Sequence, residues 1–190
     1  MAPLPRFLLW LDLETTSLDP ANTSVLEAFW ELTDWNLNPV ASAHGVRLAT
    51  KDNPLPPMDD FVCEMHAKSG LIDACMSDDH TDVGTAMYRL VALLHGIGEP
   101  VALAGSGVSH FDRLVLAARY PDVASRLTYW SLDLGPIRRL AKGTGYGDLA
   151  LPDADIAHRA EADVRRAQAE FRQWRAVFEI AGDASGLVSP

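Results

Sequence analysis

The sequence predicts an α/β fold in which three antiparallel strands come first and alternating helices and short strands then complete a mixed sheet flanked by helices. Three observations carry that expectation. An uninterrupted apolar run, Phe7 to Leu11, ends in the polar cluster Thr15 to Pro20, the pattern of a fully buried strand. Two β-branched and aromatic stretches, Val25 to Asp34 and Ala41 to Ala49, are separated by the turn residues Asn36 to Pro39. Helical stripes then alternate with short apolar runs through the second half. With 190 residues and 48% hydrophobic content, one domain is expected over residues 1–181, with 182–190 as a C-terminal tail.

Each element has its own signal. The first strand runs into Asp12 and Glu14, and because side chains alternate along a strand these two carboxylates share a face. Adjacent carboxylates repel and neither is easily buried alone, so the pattern calls either for a divalent cation between them or for a strand end that emerges into solvent. The next two strands form a meander. After the Pro-rich break Asn53 to Pro57, a short helix is expected over Met58 to Met65, and His66 to Gly70 reads as a loop closed by glycine. Asp82 to His95 carries Val83, Met87, Leu90, Val91 and Leu94 on one stripe behind an acidic start. Val101 to Ala104 is a short strand, Phe111 to Arg119 a helix stopped before Pro121, Thr128 to Leu132 a last strand, and Leu134 to Lys142 a helix. Gly143 to Asp155 reads as a loop, and Ala160 to Ile180 as a long amphipathic helix with Val164, Ala167, Phe171, Trp174 and Phe178 on one side.

The net charge of −10 is unevenly placed: residues 1–100 hold 5 Lys/Arg against 15 Asp/Glu, and residues 101–190 hold 11 against 11. Such acidity disfavours a grip on long nucleic acid, which needs many phosphate contacts, but leaves room for short anions held by a metal and a few donors. No apolar run approaches the ~20 residues of a membrane span, so no membrane partner is expected. The N-terminus makes a poor signal peptide, because its apolar run is short and stops at two acids. Cys63 and Cys75 form no CxxC pair and read as free thiols of a reducing compartment, the cytoplasm.

Three further positions carry chemistry. Asp112 enters a helix just after a strand end, and His158 and Asp163 lie five apart where the last helix begins. Taken singly, Asp112 could merely favour a helix N-terminus, Asp163 could pair with nearby arginines, and His158 could be a solvated surface residue. Taken together, an Asp-x-Glu at the first strand, an Asp entering a middle helix and a His-x4-Asp at the last helix form the pattern of the DEDDh exonucleases. The chain resembles that family, and its oligoribonuclease branch more closely still. FLLWLDLETTSLDP is similar to that branch's first motif, MDDFVCEMHAKSGL to its characteristic loop, and AGSGVSHFDRLVL, YWSLDL and HRAEADV follow in order.

The resemblance implies a ribonuclease-H-like fold and two divalent cations, Mg2+ or Mn2+. Asp12, Glu14 and Asp163 would hold one ion, with Asp12 bridging to a second that Asp112 completes. His158 would act as general base, since imidazole ordinarily titrates near neutrality. The implied reaction is 3′–5′ hydrolysis of short single-stranded RNA, or of DNA, to 5′-mononucleotides by a homodimer. Substrate-binding roles carry over to Leu18 as a wedge between bases, to Phe61 where the branch usually has Trp, to His66 in the cleft, and to Tyr129, which reaches the other subunit's site. The chain departs from the branch at Ser106, Gly107, Trp130, Gly135 and Pro136, which stand where donors to a 5′ phosphate are usual. The lost arginine removes a bidentate grip, so preference for 5′-phosphorylated dinucleotides is expected to be weakened. Other readings are a DEDDh exonuclease acting on DNA or longer RNA 3′ ends, a haloacid-dehalogenase-type phosphatase, and a non-catalytic nucleic-acid-binding module. The phosphatase class needs Asp-x-Asp, and Glu14 stands at the second position.

Overall fold

Side-chain alternation along one central strand splits the core in two. In the computed structural model, which describes residues 3–149 and 157–185, strand β1 (Leu8–Thr15) is buried along nearly its whole length. Strands β2 (Val25–Thr33) and β3 (Pro39–Val46) follow as an antiparallel meander on one side of it. On the other side β4 (Val101–Gly105) and β5 (Leu127–Asp133) join in parallel, giving the order β3-β2-β1-β4-β5. Leu9, Leu11 and Leu13 face a cluster with Ala28, Trp30 and Leu32 of β2 and with Val83, Met87, Leu90 and Leu94 of the helix Val83–Ile97. Leu8 and Trp10 face the opposite cluster, with Phe29, Ala104 and the residues Ala160, Val164, Ala167, Phe171 and Trp174 of the last helix, Ala160–Ser185. Each fully buried side chain of this size contributes about 1.5–3 kcal/mol.

Two indole donors buried in the core find acceptors. Trp10 Nε1 donates to Thr33 Oγ1 at 3.0 Å, and Trp30 Nε1 to the Ala86 carbonyl at 2.9 Å. Strand β3 lies so close to the helix at Val83 that a Cβ on Gly45 would sit 2.7 Å from both Ala86 Cβ and Val83 Cα, so only glycine fits.

Between β3 and β4 come α1 (Asp60–Lys68), α2 (Leu71–Met76) and α3 (Val83–Ile97), the last capped by Asp82 accepting from Gly84 N. Helix α1 begins and ends later than the expected Met58 to Met65, and His66 lies in it rather than in a loop. Burial of Val62 and His66, four apart on one face, carries the helix through that residue. Only Ser69 and Gly70 remain as a turn, Gly70 at φ 74°, before α2, a helix too short for its spacing to announce it. Leu71 and Cys75 give α2 its buried face, packed on Leu26 and Val46. Beyond β4 lie α4 (Asp112–Arg119), the short α5 (Pro121–Ala124), α6 (Leu134–Gly143) and α7 (Ala160–Ser185). Strand β3 starts at Pro39 and ends at Val46, earlier than expected at both ends. Residues 150–156 of the expected loop and 186–190 of the expected tail lie outside the described residues.

Candidate active site

The site begins where two strands part. β1 pairs with β4 only from Leu8 to Trp10, whereas it pairs with β2 along its whole length. Beyond Trp10 the β4 side of β1 has no ladder partner, and a backbone donor there must be satisfied otherwise. Asp112, at the start of α4, does so: its Oδ1 accepts from Leu13 N at 3.0 Å. Asp12 and Glu14 continue the Leu8–Trp10 row and so face α7. Asp163 stands in the first turn of α7, its N–H donating to the Arg159 carbonyl at 3.0 Å. One carboxylate oxygen from each of Asp12, Glu14 and Asp163 lies within 4.8 Å of the others.

These acids cannot all ionise unaided. Burial above all, then the charges of Asp112, Glu14 and Asp163, holds Asp12 well above the usual carboxylate range. Glu14 is pushed up to about 8, by burial first and then by Asp163 and Glu27. Burial raises Asp112 to about 7 against the opposing effect of its backbone donors. Asp163 is raised by burial, while His158 and Arg166 pull it back. A site that penalises every carboxylate charge and offers only oxygen donors suits a hard divalent cation, whose charge would reverse the penalty.

His158 sits at the entrance to α7 with φ 47°, a left-handed conformation that only a few per cent of non-glycine residues adopt. With Ala157 it forms one wall of a cleft of about 490 Å³ whose other wall is Phe61, Glu64, Met65, Lys68 and Ser69. A second cavity, about 210 Å³, is lined by Asp12, Asp163, Ser106, Arg138, Arg166 and Glu170, among others. The structure thus gathers Asp12, Glu14 and Asp163 into one cluster, places Asp112 against the backbone between them, and sets His158 at the adjoining cleft.

The remaining predicted residues separate by exposure. Leu18, Phe61 and Tyr129 are 67%, 68% and 94% exposed, Phe61 in the His158 cleft and Tyr129 on the edge strand β5. His66 is wholly buried: its Nε2 donates to the Thr15 carbonyl at 2.8 Å, and its Nδ1 lies 3.9 Å from Glu14 Oε2. Burial foremost lowers its pKa, so the ring stands neutral behind Glu14. At the positions where the chain departs from the branch, Asp133 accepts from Gly107, Ser109 and Gly135 N–H groups, and Trp130 packs against the α7-side core.

Sequence reading passed over Glu27. It is fully buried in β2, directly opposite Glu14 in the ladder. It accepts from Arg159 Nε at 3.0 Å, Arg159 Nη2 at 2.9 Å, Ala160 N at 3.0 Å and His44 Nε2 at 2.6 Å. Those donors outweigh burial and hold it at about 2. The available signal was an acid within a mostly apolar strand, VLEAFWELT, which carries a second acid, Glu31, four residues on.

No family model matches the chain. The oligoribonuclease of Tropheryma whipplei (strain Twist) is 30% identical over 179 residues, 94% of this chain and 96% of that protein. The oligoribonuclease of Azoarcus sp. (strain BH72) is 29% identical over 94% of this chain and 98% of that protein. Among solved structures, one of exonuclease I superposes with a TM-score of 0.63 at 16% identity, over 92% of this chain and 44% of the other. Exonuclease I from Methylocaldum szegediense gives 0.59 at 17% identity, over 90% and 40%. The chain spans less than half the length of those exonuclease I chains. This likeness, with the mixed five-stranded sheet, shows a ribonuclease-H-like fold.

Proposed function

The chain belongs to the oligoribonuclease family, and on that premise we propose that it is a 3′–5′ exoribonuclease hydrolysing short oligoribonucleotides to 5′-mononucleotides. The observation that carries the proposal is the clustering of Asp12, Glu14 and Asp163 oxygens within 4.8 Å beside a cleft that His158 lines. Asp12, Glu14, Asp112 and Asp163 would hold two divalent cations, Mg2+ or Mn2+, which when bound offset phosphodiester charge and lower the pKa of water. His158 takes the proton of the attacking water as its oxygen bonds to phosphorus. The P–O3′ bond to the preceding nucleotide breaks with its electron pair on O3′, which takes a proton from solvent to become the new 3′-hydroxyl, and the released nucleotide keeps the phosphate at its 5′ end. Phe61, exposed opposite His158, offers a stacking face worth about 1–3 kcal/mol per base, and Leu18 a wedge between bases. His66, neutral and buried, supports Glu14 and the Thr15 carbonyl from behind the cleft.

A relaxed length preference is favoured by one observation: Trp130, where the branch has a phosphate-gripping arginine, is half-buried against the α7-side core. The working unit is a single domain, 1–181, acting as a cytoplasmic homodimer. Free Cys63 and Cys75 support the compartment, and Tyr129, exposed on the edge strand, supports the pairing. Among the described residues no helix is long and apolar enough to cross a membrane.

The test is a product ladder over time on 5′-labelled RNA and DNA of about two to twenty nucleotides with Mg2+ or Mn2+. Stepwise shortening of RNA from the 3′ end is expected, with a kcat loss of about 10²–10⁴ for His158→Ala. Unchanged cleavage by Asp12→Asn would overturn the site assignment.

A further inference from the structure

Glu14 and Glu27 face each other across the β1–β2 ladder, on the same side of the sheet, yet they live in opposite surroundings. Glu14 belongs to the carboxylate cluster. Both oxygens of Glu27 are occupied by donors from other elements: Arg159 through Nε and Nη2, Ala160 through its backbone N–H, and His44 through Nε2. Three of those four donor groups belong to the two residues immediately after His158. Arg159 is its chain neighbour, and Ala160 is the first residue of α7.

This grip answers two local needs. A helix start wants an acceptor for its free N–H groups, ordinarily a Ser, Thr, Asp or Asn side chain just ahead of it. Here that position holds Arg159, which can only donate, and Glu27 supplies the acceptor from a neighbouring strand. A non-glycine residue at φ 47° also persists only where its surroundings over-determine it. The bidentate Arg159–Glu27 pair fixes the chain one residue beyond that strained position.

We propose that Glu27 is a positioning residue for the reaction: acting through Arg159 and the Ala160 N–H, it holds the His158 junction in the left-handed conformation that turns the imidazole into the substrate cleft. The proposal rests on the reading of His158 as the proton acceptor. It assigns Glu27 no contact with substrate or metal, because both its oxygens already accept from the junction and from His44. A merely structural ion pair would affect folding, metal response and turnover together; a positioning role affects turnover alone.

The experiment compares wild type, Glu27→Gln, Arg159→Ala and His158→Ala on a 5′-labelled RNA of about five nucleotides, recording kcat, KM and the melting-temperature rise caused by Mn2+. Glu27→Gln, equal in size but poorer as an acceptor, should lose about tenfold or more in kcat, with KM within about twofold and the Mn2+ response kept. Arg159→Ala should lose a similar amount and regain at least about threefold when guanidinium is added to the assay, while His158→Ala gains nothing from it. Folded Glu27→Gln with kcat within about twofold of wild type overturns the proposal, as does loss of turnover in step with the Mn2+ response, or absence of rescue. Should Glu27→Gln not fold, the Arg159→Ala rescue decides alone. If wild type leaves RNA intact, or His158→Ala turns over normally, the reading of the site falls and the proposal with it. If His158→Ala is inactive while Glu27→Gln is not, only the positioning role falls.

Discussion

Replacing Glu14 by Gln should strengthen the metal-free protein while removing most of its response to divalent ions. Burial first, then the charges of Asp163, Glu27 and Asp112, lifts the Glu14 carboxyl from 4.5 to about 8. The unfolded chain releases this proton at the ordinary value, so between those two pH values the folded state binds a proton that the unfolded state has lost. The group's contribution is therefore complete below about pH 4.5 and is lost as pH rises towards about 8, a shift equivalent to about 5 kcal/mol. Glu27, held at about 2, has its opposite slope below pH 4.5 and does not enter this window. Gln carries no charge at either pH, and it relieves Asp12 as well. Its amide, placed beside the buried His66, gives back about 1–3 kcal/mol of desolvation. The net gain at pH 8 in EDTA should be about 2–4 kcal/mol, a melting-temperature rise of roughly 4–16 °C for a chain of this size. Thermal melts of both proteins in EDTA at pH 5, 6.5 and 8, repeated with Mn2+, measure it. In EDTA the variant should melt below wild type at pH 5, where only the amide's cost acts, and rise above it by pH 8, with Mn2+ raising the wild type far more than the variant. A wild-type melting temperature in EDTA that stays level or climbs from pH 5 to 8 would refute the reasoning.

Other consequences follow from single contacts. Asp12→Asn should abolish RNA cleavage and leave the circular dichroism spectrum and metal-free melting temperature no lower than wild type, because it removes a carboxyl whose charge the fold opposes. Arg138→Met should cost about 3 kcal/mol in urea denaturation, since it strands Glu170, whose side chain is 1% exposed and otherwise meets Trp174 Nε1; a change under about 1 kcal/mol would show that the pair is not needed. Turnover of pApA and of a 5′-phosphorylated heptamer should be within about tenfold of each other, because Trp130 is committed to packing and supplies no bidentate phosphate grip. A sharp preference for the dimer would contradict that account.

The carboxylate pair at the end of β1 was legible because a strand's period of two is local: Leu8, Trp10, Asp12 and Glu14 must share a face whatever surrounds them. The meander, the α3 stripe and the amphipathic α7 were legible for the same reason, since each is written in the spacing of neighbouring residues. The His-x4-Asp spacing placed His158 and Asp163 at one helix start, but left the partner across from them open. His66 looked like a loop residue because nothing in HAKSGL reveals the Thr15 carbonyl that holds it inside α1. Glu27 could not be interpreted from VLEAFWELT alone, because its meaning depends on a strand register opposite Glu14 and on Arg159, 132 residues away. The early end of the β1–β4 ladder, which opens the slot that Asp112 enters, is likewise a property of two distant segments. The sequence by itself determined which residue types line each face of each element. Tertiary packing decided which of those faces meet, because burial and ion pairing act between atoms in space and carry no mark in the local spacing of either partner.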